Sequence, residues 1–123
     1  MDIEVFRQAC LAKPGATESM PFGEGVLVFK VLHKMFATLS LDADKPAANL
    51  KCSPERAVQL REGFFAIQPG YHMNKKHWNT LQLSEQLPQE LILELVDHSY
   101  ALVVDGLTRK QKKALTEGKD DQT

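Results

Sequence analysis

The amino-acid sequence predicts an α+β fold, in which an antiparallel sheet of about five strands is flanked by helices packed on one face. Runs of residues with strand-like spacing follow one another directly, which suits hairpins better than single strands alternating with helices. Helical patterns precede, separate and follow these runs. The length of 123 residues suits one domain with one core, and no repeat or linker divides the chain.

The first half of the chain contains a predicted helix and three predicted strands. Apolar positions across Ile3–Leu11 follow helical spacing, and Lys13-Pro14-Gly15 ends that helix because proline cannot continue it. Two β-rich runs come next, at 26–32 and 35–41, and the two residues between them predict a hairpin turn. A third strand is expected at Ala47–Lys51.

The second β-rich run, MFATLSL, also predicts which side chains share a face. Strict alternation places Met35, Ala37 and Leu39 on one side of the sheet. It places Phe36 and Thr38 on the other.

The second half of the chain begins with a strong helix start at Ser53-Pro54-Glu55, and Gly63 ends that helix. Strands are expected at 64–67 and 78–83. Pro88 begins the longest helix, Gly106 closes it, and a last basic helix runs from Thr108 to Leu115. We therefore expect a single domain over residues 1–116 and a polar, disordered tail over 117–123.

Composition excludes several classes of protein. The net charge is −1, and no apolar run approaches the roughly 20 residues that span a bilayer. The first ten residues lack the basic and apolar regions of a secretory signal. The two cysteines, Cys10 and Cys52, are too few for a disulfide framework. We expect a cytoplasmic protein with no membrane partner.

No motif indicates catalysis or a cofactor. The sequence lacks a G-x-S-x-G elbow, a P-loop, a complete dinucleotide loop and any ligand pair with metal-binding spacing. A metal site or an enzyme is suggested only by His72, Asn74 and His77, which are close in sequence but lack diagnostic spacing. We expect no cofactor, no metal and a non-enzymatic role.

The most distinctive segment is QPGYHMNKKHWNTLQL, at residues 68–83, which contains the only tryptophan and two of the four histidines. On a regular strand, Trp78 points away from Leu81 and therefore toward the outer face, beside Lys76. An indole there is suited to stack on a base or to contact a partner protein. The opposite interpretation is that a bulge or a covering helix buries the ring.

The middle of the chain is mildly basic. Residues 25–80 hold eight lysines and arginines against four acids. A basic sheet face with an exposed aromatic suits DNA, although an ordinary solvated surface explains the same excess. The candidate nucleic-acid contacts are Lys34, Lys51, Lys75, Lys76 and Trp78. The alternative is a protein-interaction or regulatory module with no nucleic-acid affinity.

Several segments in order resemble the YjbR/MmcQ family of small bacterial proteins. They are KPGA at 13–16, PA at 46–47, LKCSPE at 50–55, HMNKKHWNT at 72–80 and LVDHSY at 95–100. The resemblance runs from the first helix to about Leu115. It implies a fold similar to bacterial frataxin (CyaY-like), and DNA binding through a double-wing arrangement of hairpins. It does not imply an iron role, since the first helix carries only Asp2 and Glu4.

Part of the family motif also has a structural interpretation. Its polar side chains can satisfy buried backbone groups and pin the sheet to the long helix. The residues expected to form this structural motif are His72, Asn74, His77, Asp97 and Tyr100.

Overall fold

The structure, a computed structural model, describes residues 1–42, 44–84 and 86–121, with side chains as far as Glu117. Within these residues there are four helices: α1 (Ile3–Leu11), α2 (Pro54–Gly63), α3 (Gln89–Asp105) and α4 (Arg109–Asp121). There are six strands: β1 (Ala16–Ser19), β2 (Val26–Val31), β3 (Lys34–Ser40), β4 (Ala47–Lys51), β5 (Ile67–Pro69) and β6 (Trp78–Gln82).

All six strands belong to one antiparallel sheet with the order β1-β2-β3-β4-β6-β5. Helix α3 crosses β3 and β4, while α1 packs beside it near β1 and α2 packs against β5 and β6. The core lies between these helices and the sheet. Its largest fully buried side chains include Phe6, Phe29, Phe36, Leu39, Leu50, Ile67, Leu81 and Ile92. The predicted α+β class is confirmed, with one strand more than expected.

The additional strand is β1, at the edge of the sheet. Its sequence, ATES, is short and polar, and its burial alternates between half-buried and exposed positions. Glu18 on this strand accepts from Arg7 of α1, with 2.7 Å between Nη2 and Oε2. A polar edge strand has no apolar alternation, so the sequence pattern did not indicate it.

Two other boundaries differ from the sequence prediction. The strand expected at 64–67 begins at its last position and forms β5, Ile67–Pro69. Helix α4 continues past Leu115 to Asp121, so part of the segment predicted as a tail is helical. Residues 122 and 123 lie outside the described residues.

The turn between β2 and β3 lies one residue earlier than predicted. Val31 pairs with Lys34, so Leu32 and His33 are its two central residues. Both have positive φ, at 47° and 69°. Positive φ at both positions is the geometry of a type I′ turn, whose twist matches the flanking strands.

A bulge in β3 breaks the predicted alternation. Phe29 pairs with Ala37 and Lys30 with Met35, which leaves Phe36 as the extra residue. Phe36 and Ala37 therefore both belong to the core, and the assignment of Phe36 to the opposite face was wrong. Beyond the bulge, Met35 and Thr38 lie on the other face of the sheet.

Candidate ligand-binding groove

The face of the sheet opposite the helices is concave. A groove of about 590 Å³ runs across β2, β3, β4 and β6, and helix residues are absent from its described lining. Apolar side chains dominate its surface, among them Val26, Met35 and Ala47. We call this concavity the groove.

Two loops wall the groove with exposed aromatic rings. Phe22, in the loop before β2, is 76% exposed, and Tyr71, in the loop before β6, is 69% exposed. The ring of His72 lies 3.9 Å from that of Tyr71, between centroids. His72 has a φ of 59°, a conformation that is uncommon for a residue with a side chain. Large exposed rings around a concave apolar surface are typical of an interaction site.

The loop at residues 70–77 is held over the sheet by its backbone. The Gly70 N–H donates to the carbonyl of Trp78 at 2.9 Å, and the Tyr71 N–H donates to the Thr80 hydroxyl at 2.9 Å. Gly70 also lies close to the side chain of Trp78: a Cβ added to Gly70 would be 2.8 Å from Trp78 Cβ. This close approach brings the rings of Tyr71 and His72 to the groove.

A row of three polar residues crosses the floor of the groove. Thr38 pairs with Asn49, and Asn49 pairs with Thr80, on three adjacent strands. The Thr80 hydroxyl, which accepts from the Tyr71 N–H, donates to Asn49 Oδ1. The amide nitrogen of Asn49 has no hydrogen-bond partner within the described part of the chain.

Two of the predicted nucleic-acid contacts share a separate, smaller cleft. Lys34 and Lys51 line a concavity of about 180 Å³ together with Leu102, Val103 and Gly106 at the end of α3. Helix α3 has no basic residue in its own last turn. The two lysines therefore lie near the C-terminal end of α3, where the helix dipole favours positive charge.

The other predicted contacts lie around β6. The Lys75 ammonium donates to the Gly70 carbonyl at 2.9 Å, so it is engaged within its own loop, whereas Lys76 is exposed. Trp78 is half-buried on the helix-free face, opposite Lys51 on β4. The side chain is thus neither fully exposed nor fully buried, and Gly70 lies against its Cβ.

The polar residues of the HMNKKHW segment mainly shape its turn. Asn74 Oδ1 accepts from the Lys76 N–H at 2.9 Å. His77 uses its backbone, donating to the Asn74 carbonyl and accepting from the Cys52 N–H at 2.8 Å. Among the described polar side chains of this segment, His72 alone lines the groove, next to the apolar Met73. No cluster of three or more potential metal ligands occurs among the described residues.

Asp97 and Tyr100 connect α3 to the segment that follows α1. Asp97 forms an ion pair with the Lys13 ammonium, and the Tyr100 hydroxyl donates to the Pro14 carbonyl. The Tyr100 ring meets Phe36 edge-on, with 5.3 Å between centroids. Asp97 therefore contacts the α1–β1 connection instead of the sheet, whereas Tyr100 contacts both that connection and, through Phe36 of β3, the sheet.

His98 and Ser99, which the sequence analysis did not select, lie between Asp97 and Tyr100 on α3. They contact the segment that runs from β3 to α2. The buried Ser99 hydroxyl donates to the Phe36 carbonyl, and His98 Nε2 accepts from the Ser53 N–H at 3.2 Å. Burial lowers the pKa of His98, and the nearby Arg56 guanidinium lowers it further. A small polar residue at a buried position of α3 was the available signal for Ser99.

Both cysteine thiols are in environments that keep them protonated. Burial raises the pKa of the Cys10 thiol to about 12. Burial also raises the pKa of Cys52. Since the thiolate is the reactive form, neither residue is suited to act as a nucleophile.

Comparison with known proteins decides the family. A family model described as YjbR matches residues 11–102, most of the chain. The chain belongs to the YjbR family. The Escherichia coli K12 protein YjbR is 38% identical over 117 residues, covering 95% of this chain and 99% of that protein. YbdF of Escherichia coli O157:H7 is 35% identical over 115 residues, covering 94% of each. Neither name states a ligand or an activity.

Solved structures share the fold. The crystal structure of a Deinococcus radiodurans protein with a DUF419 domain has a TM-score of 0.86 at 40% identity, covering 93% of this chain and 87% of that one. A Pseudomonas syringae crystal structure has a TM-score of 0.73 at 27% identity, covering 84% and 99%. Within the described residues, no helix combines the length and apolarity needed to cross a membrane.

Proposed function

We propose that the chain is a non-enzymatic binding module and that the groove is its ligand site. The observation that carries this proposal is the groove itself, an apolar concavity with aromatic walls and, in its floor, an amide donor on Asn49 that has no partner among the described residues. Its volume of about 590 Å³ is ordinary for a site that takes a small molecule.

Support for a non-enzymatic role comes from how the chemically capable side chains are engaged. The cysteine thiols are kept neutral by burial. His98 accepts a backbone hydrogen bond, and Asp97 is paired with Lys13. These contacts stabilise the fold and leave the described lining of the groove made of aromatic, apolar and hydrogen-bonding groups, among which His72 is the one basic side chain.

The test is a fluorescence titration with 1-anilinonaphthalene-8-sulfonate, an apolar anionic dye that brightens in apolar sites. We expect saturable binding that weakens about tenfold in Phe22→Ala or Tyr71→Ala, because each change removes a wall. Phe65→Ala is the matched control, since Phe65 is 86% exposed but lies outside the groove. Equal loss in all three variants, or no saturable binding, would contradict the proposal.

DNA binding is the second candidate function, and the family resemblance implies it. Its specific support is that Lys34 and Lys51 share one cleft and that Lys51 lies opposite Trp78. Titration of labelled duplex and single-stranded DNA at two salt concentrations tests it. If both lysines contact phosphates, Lys34→Gln with Lys51→Gln should reduce the salt slope by about two. Lys110→Gln with Lys113→Gln, on α4, is the control of equal charge. Absence of binding at low salt would contradict DNA binding.

The sequence also left open a protein-interaction module with no nucleic-acid affinity. That alternative predicts a partner whose binding is lost in Trp78→Ala while DNA affinity is absent. Such a module would work in the cytoplasm, where free thiols such as those of Cys10 and Cys52 persist.

A further inference from the structure

We propose that the groove selects a small molecule that carries a carboxylate on an apolar, ring-containing body, with the carboxylate bound by the side-chain amide of Asn49. This inference rests on the proposed function of the groove and names the chemistry of its ligand.

The first argument is the fixed orientation of the Asn49 side chain. The Thr80 hydroxyl receives the Tyr71 N–H, so its own proton is available to donate, and it donates to Asn49 Oδ1. In the structure the amide oxygen of Asn49 faces the Thr80 hydroxyl, so the amide nitrogen is directed elsewhere. Within the described residues nothing accepts from this nitrogen, although Asn49 lines the groove. It is a preorganised donor for an acceptor atom of a ligand.

The second argument is the neighbouring hydroxyl of Thr38. Thr38 is directly opposite Asn49 on β3, lines the groove and is 7% exposed. The described part of the chain provides no hydrogen-bond partner for its hydroxyl. A hydroxyl on the groove surface that has no protein partner can donate a hydrogen bond to an acceptor atom of a ligand. Two adjacent donors suit the two oxygens of a carboxylate.

The third argument is the charge around the groove. None of the described residues that line it is acidic. Lys51 follows Asn49 by two positions on β4, so both project from the same face. Met35 lines both the groove and the cleft that contains Lys34 and Lys51. An anionic group near this end is therefore favoured and a cationic group is disfavoured.

The shape of the groove defines the rest of the ligand. The rings of Phe22 and Tyr71 and the side chain of Val26 offer apolar surface to a flat body. Loops wall the groove on two sides, and its volume of about 590 Å³ suits a small molecule. A protein partner would need about 800 Å² of contact on each side, which such a walled concavity does not offer.

The experiment compares three probes of the same body by calorimetric titration: 2-naphthoate, 2-naphthamide and 2-naphthylmethylammonium. We expect 2-naphthoate to bind about tenfold more tightly than the ammonium probe. The reason is that the donors of Asn49 and Thr38 can bond to the carboxylate but not to an ammonium, and one hydrogen bond to a charged group changes affinity by about that factor. Asn49→Asp should reverse the order of these two probes. Asn49→Leu should reduce the preference for the carboxylate severalfold while the amide probe still binds, and the part of the preference that remains is due to Thr38 and Lys51. Lys51→Gln should lower the affinity for 2-naphthoate alone. Lys110→Gln, the control, should leave the affinity for all three probes unchanged.

The outcomes separate this inference from the proposed function. Equal affinity for the three probes, or a preference for the ammonium probe, would overturn the carboxylate inference and leave the groove as a binding site. Failure of every probe to bind would overturn both. Circular dichroism of the Asn49 variants establishes that each one is folded, and Asn49→Asp, which is nearly isosteric, provides the result if Asn49→Leu fails to fold.

Discussion

The Ser99 hydroxyl bridges the backbones of β3 and β4 by donating to the Phe36 carbonyl at 2.5 Å and accepting from the Lys51 N–H at 2.9 Å. The pairing of β3 with β4 ends at Ala37 and Leu50, so the next residues, Phe36 and Lys51, do not pair directly because Phe36 lies in the bulge. The Ser99 hydroxyl bonds to both of their backbones instead. One side chain of α3 thus holds together two strands of the groove floor.

We expect Ser99→Ala to lower the free energy of unfolding by about 2–3 kcal/mol, because it leaves a carbonyl and an N–H unpaired in a largely buried place. Urea denaturation measures the change. Ser53→Ala is the control, since Ser53 makes no side-chain capping hydrogen bond and should cost less than about 0.5 kcal/mol. Equal costs for the two variants would contradict the bridging role of Ser99.

Gly70→Ala should destabilise the protein by about 1–3 kcal/mol and weaken ligand binding, because the added Cβ must displace the loop from Trp78. Denaturation and dye titration of the same sample measure both effects. Gly63→Ala is the control and should not destabilise the protein in this way, since a Cβ at Gly63 meets nothing within 4 Å. If Gly70→Ala leaves dye affinity unchanged, the loop does not shape the groove.

The stability of the protein should fall as the pH drops below about 6.5. Burial lowers the pKa of His98 in the folded state, so the unfolded chain takes up the proton first. The stability that neutral His98 contributes is present above pH 6.5 and is lost as the pH falls toward its folded pKa. Protonation also removes the acceptor for the Ser53 N–H.

Urea midpoints at pH 7.5 and 5.5 test this expectation, because Glu94, whose pKa is lowered by its hydrogen bond to Arg56, titrates below this window. His98→Asn retains an acceptor but does not titrate, so its midpoint should change less between the two pH values. An equal change in the two proteins would show that His98 is not the responsible group.

His33→Gly should stabilise the protein by about 0.5–1 kcal/mol. His33 has a φ of 69° at the second central position of the hairpin turn, where glycine avoids the strain imposed by a Cβ. Thermal unfolding measures the gain. His33→Ala keeps the Cβ and should show no gain, and equal stabilisation by alanine would assign the effect to the imidazole instead.

The sequence predicted those parts of the fold that have a local pattern. Alternation in β6 placed Asn79 and Leu81 toward the core and Trp78 and Thr80 on the opposite face, and the structure shows this arrangement. The bulge at Phe36 had no local signal, because Ser99, more than sixty residues away, completes its hydrogen bonds.

The groove was not predicted, since residues distant in sequence form it. Phe22 and Tyr71 belong to loops that carry no periodicity, and only the folded sheet brings them to one concavity. Trp78, the most distinctive residue in the sequence, lies on β6 but is not among the described residues that line the groove. The close approach of Gly70 to Trp78 Cβ depends on a tertiary contact that sequence spacing does not encode.

The most direct test of the binding role is amide NMR during titration with 2-naphthoate. The account predicts saturable shifts concentrated at Thr38, Asn49, Tyr71 and Thr80, which surround the proposed carboxylate position. Shifts confined to the opposite, helix-covered side or to the region of Phe65, or no saturable shifts at all, would contradict it.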